Sequence, residues 1–374
     1  MSRDDIATRQ WSGLWKRTGA GVAALAVLGL AGCGSAGAPK AGSPSTAVQS
    51  KAASSKALTP ITMVEAVDAP AYAPVTVAEQ AGIFEKNGLK VNVVPLQAGS
   101  TAAATLIGGS AQFDAGVASD ALLADSKGNH LIAIAALTNA IELDVEVNKS
   151  WADAHHFDPK APLADRLKAL KGAKIGITAP GSITDLATRY MFSTVGYQSG
   201  VDYHEVALGS PSSNLAALQA GTIEATIFDP SFAEVATSKG IGVLGWTGLD
   251  FPVLAHAAFG AVITTEAYAQ AHPDITRAVA TSIAEANDLI DQNPKVAMPI
   301  IERYYHSIPA SILEVSMPQY HFSPGGRTTA EDWSNMAAIF VQNHQLTPEE
   351  AKAAVHEFTN QYLPSGATPS SAGG

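Results

Sequence analysis

The sequence predicts an α/β protein with mostly parallel sheets, divided into two similarly built lobes. Short β-branched, apolar runs alternate with helical patterns along most of the chain, which is how βαβ units read. The stretch VVPLQAGSTAAATLIGGSAQFDAGVAS (93–119) aligns without a gap on EVALGSPSSNLAALQAGTIEATIFDPS (205–231), at a constant offset of 112 positions. Finally, 374 residues exceed what one ordinary core organises.

The elements follow in order. ITMVEAV (61–67) reads as a strand, and 75–86 as a helix closed by Asn87-Gly88, a good C-terminal stop. Strands at 89–96, 112–117 and 130–137 enclose helices at 101–107 and 120–127. A second set of strands lies at 173–179, 203–208, 225–228 and 241–246, with helices at 185–195, 214–219 and 232–238. A strand at 257–264 precedes a largely helical remainder to Tyr362. The segments 138–148 and 246–259 read as two crossings between lobes.

Composition narrows the function. A hydrophobic fraction of 47% against 15% charged excludes a mostly disordered chain. Lys and Arg number 23 against 34 Asp and Glu, a net charge of −11, so no basic surplus exists for nucleic acid. One cysteine excludes an internal disulfide and a cysteine-rich metal cluster.

The N-terminus reads as an address. Arg3, Arg9, Lys16 and Arg17 precede an apolar run at 19–30, too short to span a bilayer and right for a signal peptide. The run ends in Leu30-Ala31-Gly32-Cys33, which resembles a bacterial lipobox with Cys33 as the lipidated residue. The predicted organisation is a lipoprotein signal peptide (1–32), a flexible Ser/Ala/Gly/Pro tether (33–60) and lobe 1 (61–145). Lobe 2 (146–250), a largely helical return to lobe 1 (251–363) and a disordered tail (364–374) follow. The folded body is predicted outside the cytoplasm, held on the cell membrane by lipid.

In open α/β sheets, ligands bind beyond the carboxyl ends of the strands. Those ends carry Asp68 and Tyr72, then Gln97, Ser100 and Thr101, then Ser119 and Asp120, then Ser182 and Thr184, and Asp229. Each loop opens a helix, so an N-cap role is as good a reading of any single hydroxyl or carboxylate. Together they form a polar rim suited to a small ligand. Tyr72 and Trp246 are the candidate rings for stacking on it; core packing is the equal alternative for Trp246.

These residues resemble the solute-binding proteins of bacterial ABC importers, of the nitrate/sulfonate/taurine type with relatives that bind thiamine-pyrimidine precursors. The resemblance rests on Ala78 through Leu89 (AEQAGIFEKNGL), Gln97-Ala98-Gly99, Leu106 through Gly109 and Lys174 through Ile177. Gly181-Ser182, Leu218 through Gly221 and Asp229-Pro230 complete it. It implies a type II periplasmic-binding-protein clamshell with two inter-lobe crossings, working as a monomer. It further implies capture of a sulfonate, taurine or nitrate-class solute and delivery to a membrane permease and its ATPase, with no catalysis, cofactor or metal. The alternative ligand is a pyrimidine or another amine-bearing heterocycle. None of the rim loops contains Lys or Arg, while Asp68, Asp120 and Asp229 sit at strand ends, with Glu142 and Asp144 near a crossing. Uncompensated carboxylates repel anions. A related pyrimidine synthase carries a cysteine-rich motif, and this chain has only Cys33.

Other motifs fail on context. Gly240 through Gly245 spells G-x-G-x-x-G, but a helix precedes it where the dinucleotide fingerprint needs a strand. His204-Glu205 and His356-Glu357 begin H-E-x-x-H and end in Leu208 and Asn360. No G-x-S-x-G occurs.

Overall fold

Two five-stranded sheets with the same strand plan carry the chain in this computed structural model, which describes residues 57–96 and 99–365. The predicted leader with Cys33, the tether to residue 56, Gln97, the Ser100 side chain and the tail beyond 365 lie outside the described residues.

The first sheet holds β1 (Thr59–Glu65), β2 (Leu89–Pro95), β3 (Phe113–Val117), β4 (Leu131–Ala136) and β10 (Gly260–Thr265), in the order β2-β1-β3-β10-β4. The second holds β5 (Asp144–Asn148), β6 (Lys174–Ile177), β7 (His204–Ala207), β8 (Ala225–Phe228) and β9 (Gly242–Thr247), in the order β7-β6-β8-β5-β9. β1 runs parallel to β2 and β3, and β6 runs parallel to β7 and β8. β10 enters the first sheet antiparallel, and β5 enters the second antiparallel. Each is the strand that follows a crossing from the other lobe.

The sequence repeat coincides with this plan. At the offset of 112, β2 and β7 end together at Pro95 and Ala207. The helices Gly99–Ile107 and Pro211–Gln219 share both ends, β3 and β8 start together, and the helices Ala118–Asp125 and Pro230–Ser238 start together. Gly109 and Gly221 close their helices at φ of 71° and 66°, a region that costs glycine little.

Some elements differ from the sequence reading. The helix expected at 75–86 is two, Ala73–Gln80 and Ile83–Lys86, because Gly82 between them is left-handed at φ 71°. DVEVN, read as part of a crossing, is β5, a central strand buried along its whole length. The first crossing is therefore 138–143 and the second is 248–259. They bind each other: the Ile141 N–H donates to the Leu254 carbonyl (2.8 Å) and Gly248 to Leu143 (2.8 Å). A Cβ at Gly248 would stand 2.0 Å from the Ile141 carbonyl oxygen, so the two crossings meet backbone to backbone.

The C-terminal third is helical as expected. Pro273–Gln292 packs on Ala73–Gln80 and on the first sheet. Ala330–Gln342 packs on Ala118–Asp125 and also reaches Ile183–Ser193 beside the second sheet, where the Asn343 side chain donates to the Leu186 carbonyl at 3.0 Å. Among the described residues no helix is long and apolar enough to cross a membrane.

Candidate functional site

The carboxyl ends of β1, β3, β6 and β8 converge on one narrow cavity with about 70 Å³ of free space. Ala66, Val67, Ala69, Ala71, Tyr72, Val117 and Phe259 wall it from the first sheet's side. Thr178, Ser182, Ile183, Thr184, Pro211, Ile227, Phe228 and Asp229 wall it from the second, and Leu143 of the first crossing closes one side. The wall is mostly apolar with a few converging polar groups, as small-molecule sites are.

Four of the predicted residues meet here: Tyr72, Ser182, Thr184 and Asp229. Pro70 at the first position of the short turn Pro70–Tyr72 fixes the chain after β1 and presents Tyr72 to the cavity. Burial pushes the Tyr72 hydroxyl well up, aided by Asp114, Asp120, Glu65 and Asp229.

The second wall is a hydroxyl ring. Ser182 donates to the Ala179 carbonyl (2.7 Å), Thr178 donates to Ser182 (2.8 Å), and Thr184 lies 2.8–2.9 Å from both hydroxyls. With Ser182 turned to Ala179 and Thr178 to Ser182, Thr184 closes the ring on one of its neighbours. The Ser182 proton is thus used on the Ala179 carbonyl and the other two within the ring, while the Ala179 N–H donates to Ser182 (3.4 Å) and the Thr178 N–H to Thr184 (2.9 Å), which leaves Thr178 and Thr184 as the hydroxyls with a spare lone pair. Gly181 bends the loop at φ 77° and its N–H is held by Asp185 at 2.6 Å.

Asp229 is the best-connected carboxylate of the cavity. It caps the helix Pro230–Ser238 by accepting the Ser231 N–H at 3.1 Å. The Tyr320 hydroxyl of the C-terminal segment donates to the same oxygen at 2.5 Å. Ser231 also lies 3.0 Å from Tyr320 and 2.8 Å from Ser316, so this group joins the second lobe to the helices of the first. Burial pushes the Asp229 carboxyl up, while the hydrogen bonds from Tyr320, Ser231 and Phe232 hold it back. Because Asp229 occupies that helix N-terminus, the terminus is closed to a foreign anion.

The remaining predicted residues fall elsewhere. Trp246 is excluded from the cavity: it is 1% exposed in β9, donates to the Met191 sulfur at 3.2 Å and packs edge-on to Phe192. Thr101 is exposed on the helix Gly99–Ile107, away from the wall. Asp68 is exposed beside the lining residues Val67 and Ala69; burial pushes its carboxyl up and nearby His306 draws it down. Ser119 and Asp120 are buried one turn behind Val117. Glu142 and Asp144 lie at the crossings; Glu142 accepts the His321 N–H at 2.6 Å. Thr178 was missed, although a threonine at the end of β6 is itself a strand-end hydroxyl. No Lys or Arg lines the cavity, and no group of three or more His, Cys, Asp or Glu is placed to hold a metal, among the described residues.

Two like-planned sheets joined by two crossings, with a cavity walled by loops of both, define a two-lobed binding-protein fold. The sequence profile of the NMT1-like family matches residues 64–303, and the chain belongs to that family. Among solved structures it is similar to the alkanesulfonate-binding protein of Xanthomonas axonopodis pv. citri, bound to MOPS, at 17% identity and a TM-score of 0.65 over 81% of this chain and 99% of that one. The periplasmic nitrate-binding protein of Synechocystis PCC 6803 gives 16% and 0.65 over 82% and 87%. The periplasmic aliphatic sulphonate binding protein of Escherichia coli gives 16% and 0.61 over 79% and 91%. At such identities these likenesses establish the fold. A comparison with curated proteins returns no significant match.

Proposed function

We propose that this chain is the extracytoplasmic solute receptor of an ABC importer, a binder and not an enzyme, that captures a small polar organic solute between its lobes and hands it to a membrane permease. The cavity walled by strand-end loops of both sheets carries this reading. A ligand touching both walls favours the closed lobes over the open ones, and bending at the two crossings gives the motion. The lipobox-like LAGC sequence supports anchoring through Cys33.

The lining favours a ligand that donates hydrogen bonds. Asp229 and the spare lone pairs of Thr178 and Thr184 accept, and no cation faces them among the described residues. A free inorganic anion such as nitrate fits this wall poorly. One observation favours a zwitterion such as taurine as second reading: the helix Ile183–Ser193 begins at the cavity with no side-chain cap on its first N–H groups. A sulfonate there is compatible with an ammonium near Asp229.

A thermal-shift panel on the full chain tests the reading, with taurine, alkanesulfonates, nitrate and hydroxymethylpyrimidine-type bases. A ligand at 100 times its Kd adds about 2.7 kcal/mol, so a binder raises Tm by several degrees. A panel in which no compound shifts Tm argues against it.

A further inference from the structure

The carboxylate that the second lobe brings to the cavity is held from the C-terminal return. Asp229 follows β8 and lines the cavity, whereas Tyr320 lies outside the wall. The two close hydrogen bonds of the carboxylate fall on one oxygen: Oδ1 accepts the Tyr320 hydroxyl at 2.5 Å and the Ser231 N–H at 3.1 Å. Oδ2 accepts from neither. Tyr320 is itself fixed. Its ring stacks on Phe322, with centroids 5.5 Å apart and planes at 19°. Its segment pairs with the first crossing: the Asn139 N–H donates to the His321 carbonyl (3.3 Å), the Ser323 N–H to the Leu137 carbonyl (2.8 Å), and the His321 N–H to Glu142 (2.6 Å). The hydroxyl that meets Asp229 is therefore placed by the junction between the lobes.

The protons of this group run one way. An ionised carboxylate only accepts, so the single Tyr320 proton is drawn to Asp229. The Ser231 hydroxyl, 3.0 Å from Tyr320, then donates to it, and Ser316, 2.8 Å from Ser231, donates to Ser231. Ser231 and Ser316 are 0% exposed and Tyr320 6%, so the chain is dry and its direction depends on the charge of Asp229. No Lys, Arg or His pairs with Asp229 among the described residues; hydrogen bonds alone support its charge. The other titratable groups around it are Asp144 at the start of β5, whose charge opposes its own, and Tyr72 on the facing wall, a neutral hydroxyl. The neighbouring His321 ring is turned to Glu142, 3.6 Å away.

Resting on the receptor reading above, we infer that Tyr320 is a positioning residue of the solute site: it ties down one oxygen of Asp229 and leaves the other to an N–H donor of the solute. Tyr320 does not touch the solute and acts through Asp229. The acceptor is complete only while the second lobe lies against the C-terminal return, which links solute recognition to the junction between the lobes. Without the hydroxyl, the carboxyl is freer to turn and easier to protonate, so solute affinity and its pH dependence change together.

Titration calorimetry of the full chain tests this with taurine, 4-aminopyrimidine and, as an amine-free comparison, ethanesulfonate. At least one of the two amines is expected to bind. Tyr320→Phe keeps the ring and is expected to weaken that amine about tenfold at about pH 6, where the unsupported carboxyl takes up a proton, and less at about pH 8. Asp229→Asn is expected to weaken it at both pH values, and Tyr320→Phe added to Asp229→Asn to change affinity by less than about twofold. A merely structural role acts alike at both pH values and in both backgrounds. A Tyr320→Phe effect that is absent, equal at the two pH values or undiminished by Asp229→Asn overturns the proposal. Amine affinity indifferent to Asp229→Asn overturns it as well, whether or not Tyr320→Phe folds. If only ethanesulfonate binds, the receptor reading stands and the role of Tyr320 falls. If none of the three binds, both fall.

Discussion

Tyr320→Phe deletes one hydroxyl and nothing else from the junction between the lobes. That hydroxyl donates to Asp229 at 2.5 Å and lies 3.0 Å from Ser231, and both residues belong to the helix start of the second lobe. Tyr320 is 6% exposed and Asp229 7%, so solvent does not replace the lost bond. A hydrogen bond to a charged group contributes about 1.5–3 kcal/mol net. Ser231 keeps its contact with Ser316, and Asp229 keeps the Ser231 N–H, so the lower half of that range is expected. At roughly 2–4 °C per kcal/mol for domains of 150–250 residues, and somewhat less for a larger body, Tm falls by several degrees. The Tyr320 bond also holds the Asp229 carboxyl down, so its loss raises that group further. Differential scanning calorimetry of the single variants and of Tyr320→Phe/Asp229→Asn gives the coupling directly. A Tm within a degree of wild type, or strictly additive single effects, refutes an energetic link through this bond.

Three further outcomes follow from the same geometry. Gly248→Ala forces a methyl onto the Ile141 carbonyl oxygen at 2.0 Å and is expected to cost at least about 1–3 kcal/mol; an unchanged denaturation midpoint contradicts the backbone contact at the crossings. Trp246→Ala is expected to cost about 3–5 kcal/mol with solute affinity unchanged in the folded fraction, and weaker binding without lost stability returns Trp246 to the site. Burial raises Asp120 and Asp144 to about 7, and Glu146 and Glu357 to about 8, against roughly 4 when unfolded. The native state therefore holds more protons between about pH 4 and 8, and stability falls as pH rises through that window. His321, raised chiefly by its hydrogen bond with Glu142, acts with the same sign, so a Tm at pH 8 above that at pH 5.5 refutes the assignment.

Much of the architecture is legible in the sequence because the two lobes repeat it. The gapless match at 93–119 and 205–231 marks strand, helix and strand in equivalent places of both sheets. β5 is hidden because its five residues are all buried, so DVEVN shows alternation that no solvent face explains. Its direction, antiparallel among parallel strands, comes from the crossing and has no local signature. The second lobe's half of the cavity follows from strand ends: Ser182, Thr184 and Asp229 are there, and Thr178 obeys the same rule. Trp246 misleads because a ring at a strand end packs equally well inward, here against Phe192. Asp114 is an acid in a buried strand, and the missing partners of its oxygens have no signature in the sequence.

The central claim is that a solute sits between the lobes and touches both. Hydrogen-exchange mass spectrometry, with and without a solute identified by thermal shift, tests it most directly. Added protection is expected at residues 66–72 on one wall and at residues 178–184 and 227–229 on the other, in the same experiment. Protection confined to one wall, or lying away from both, contradicts it.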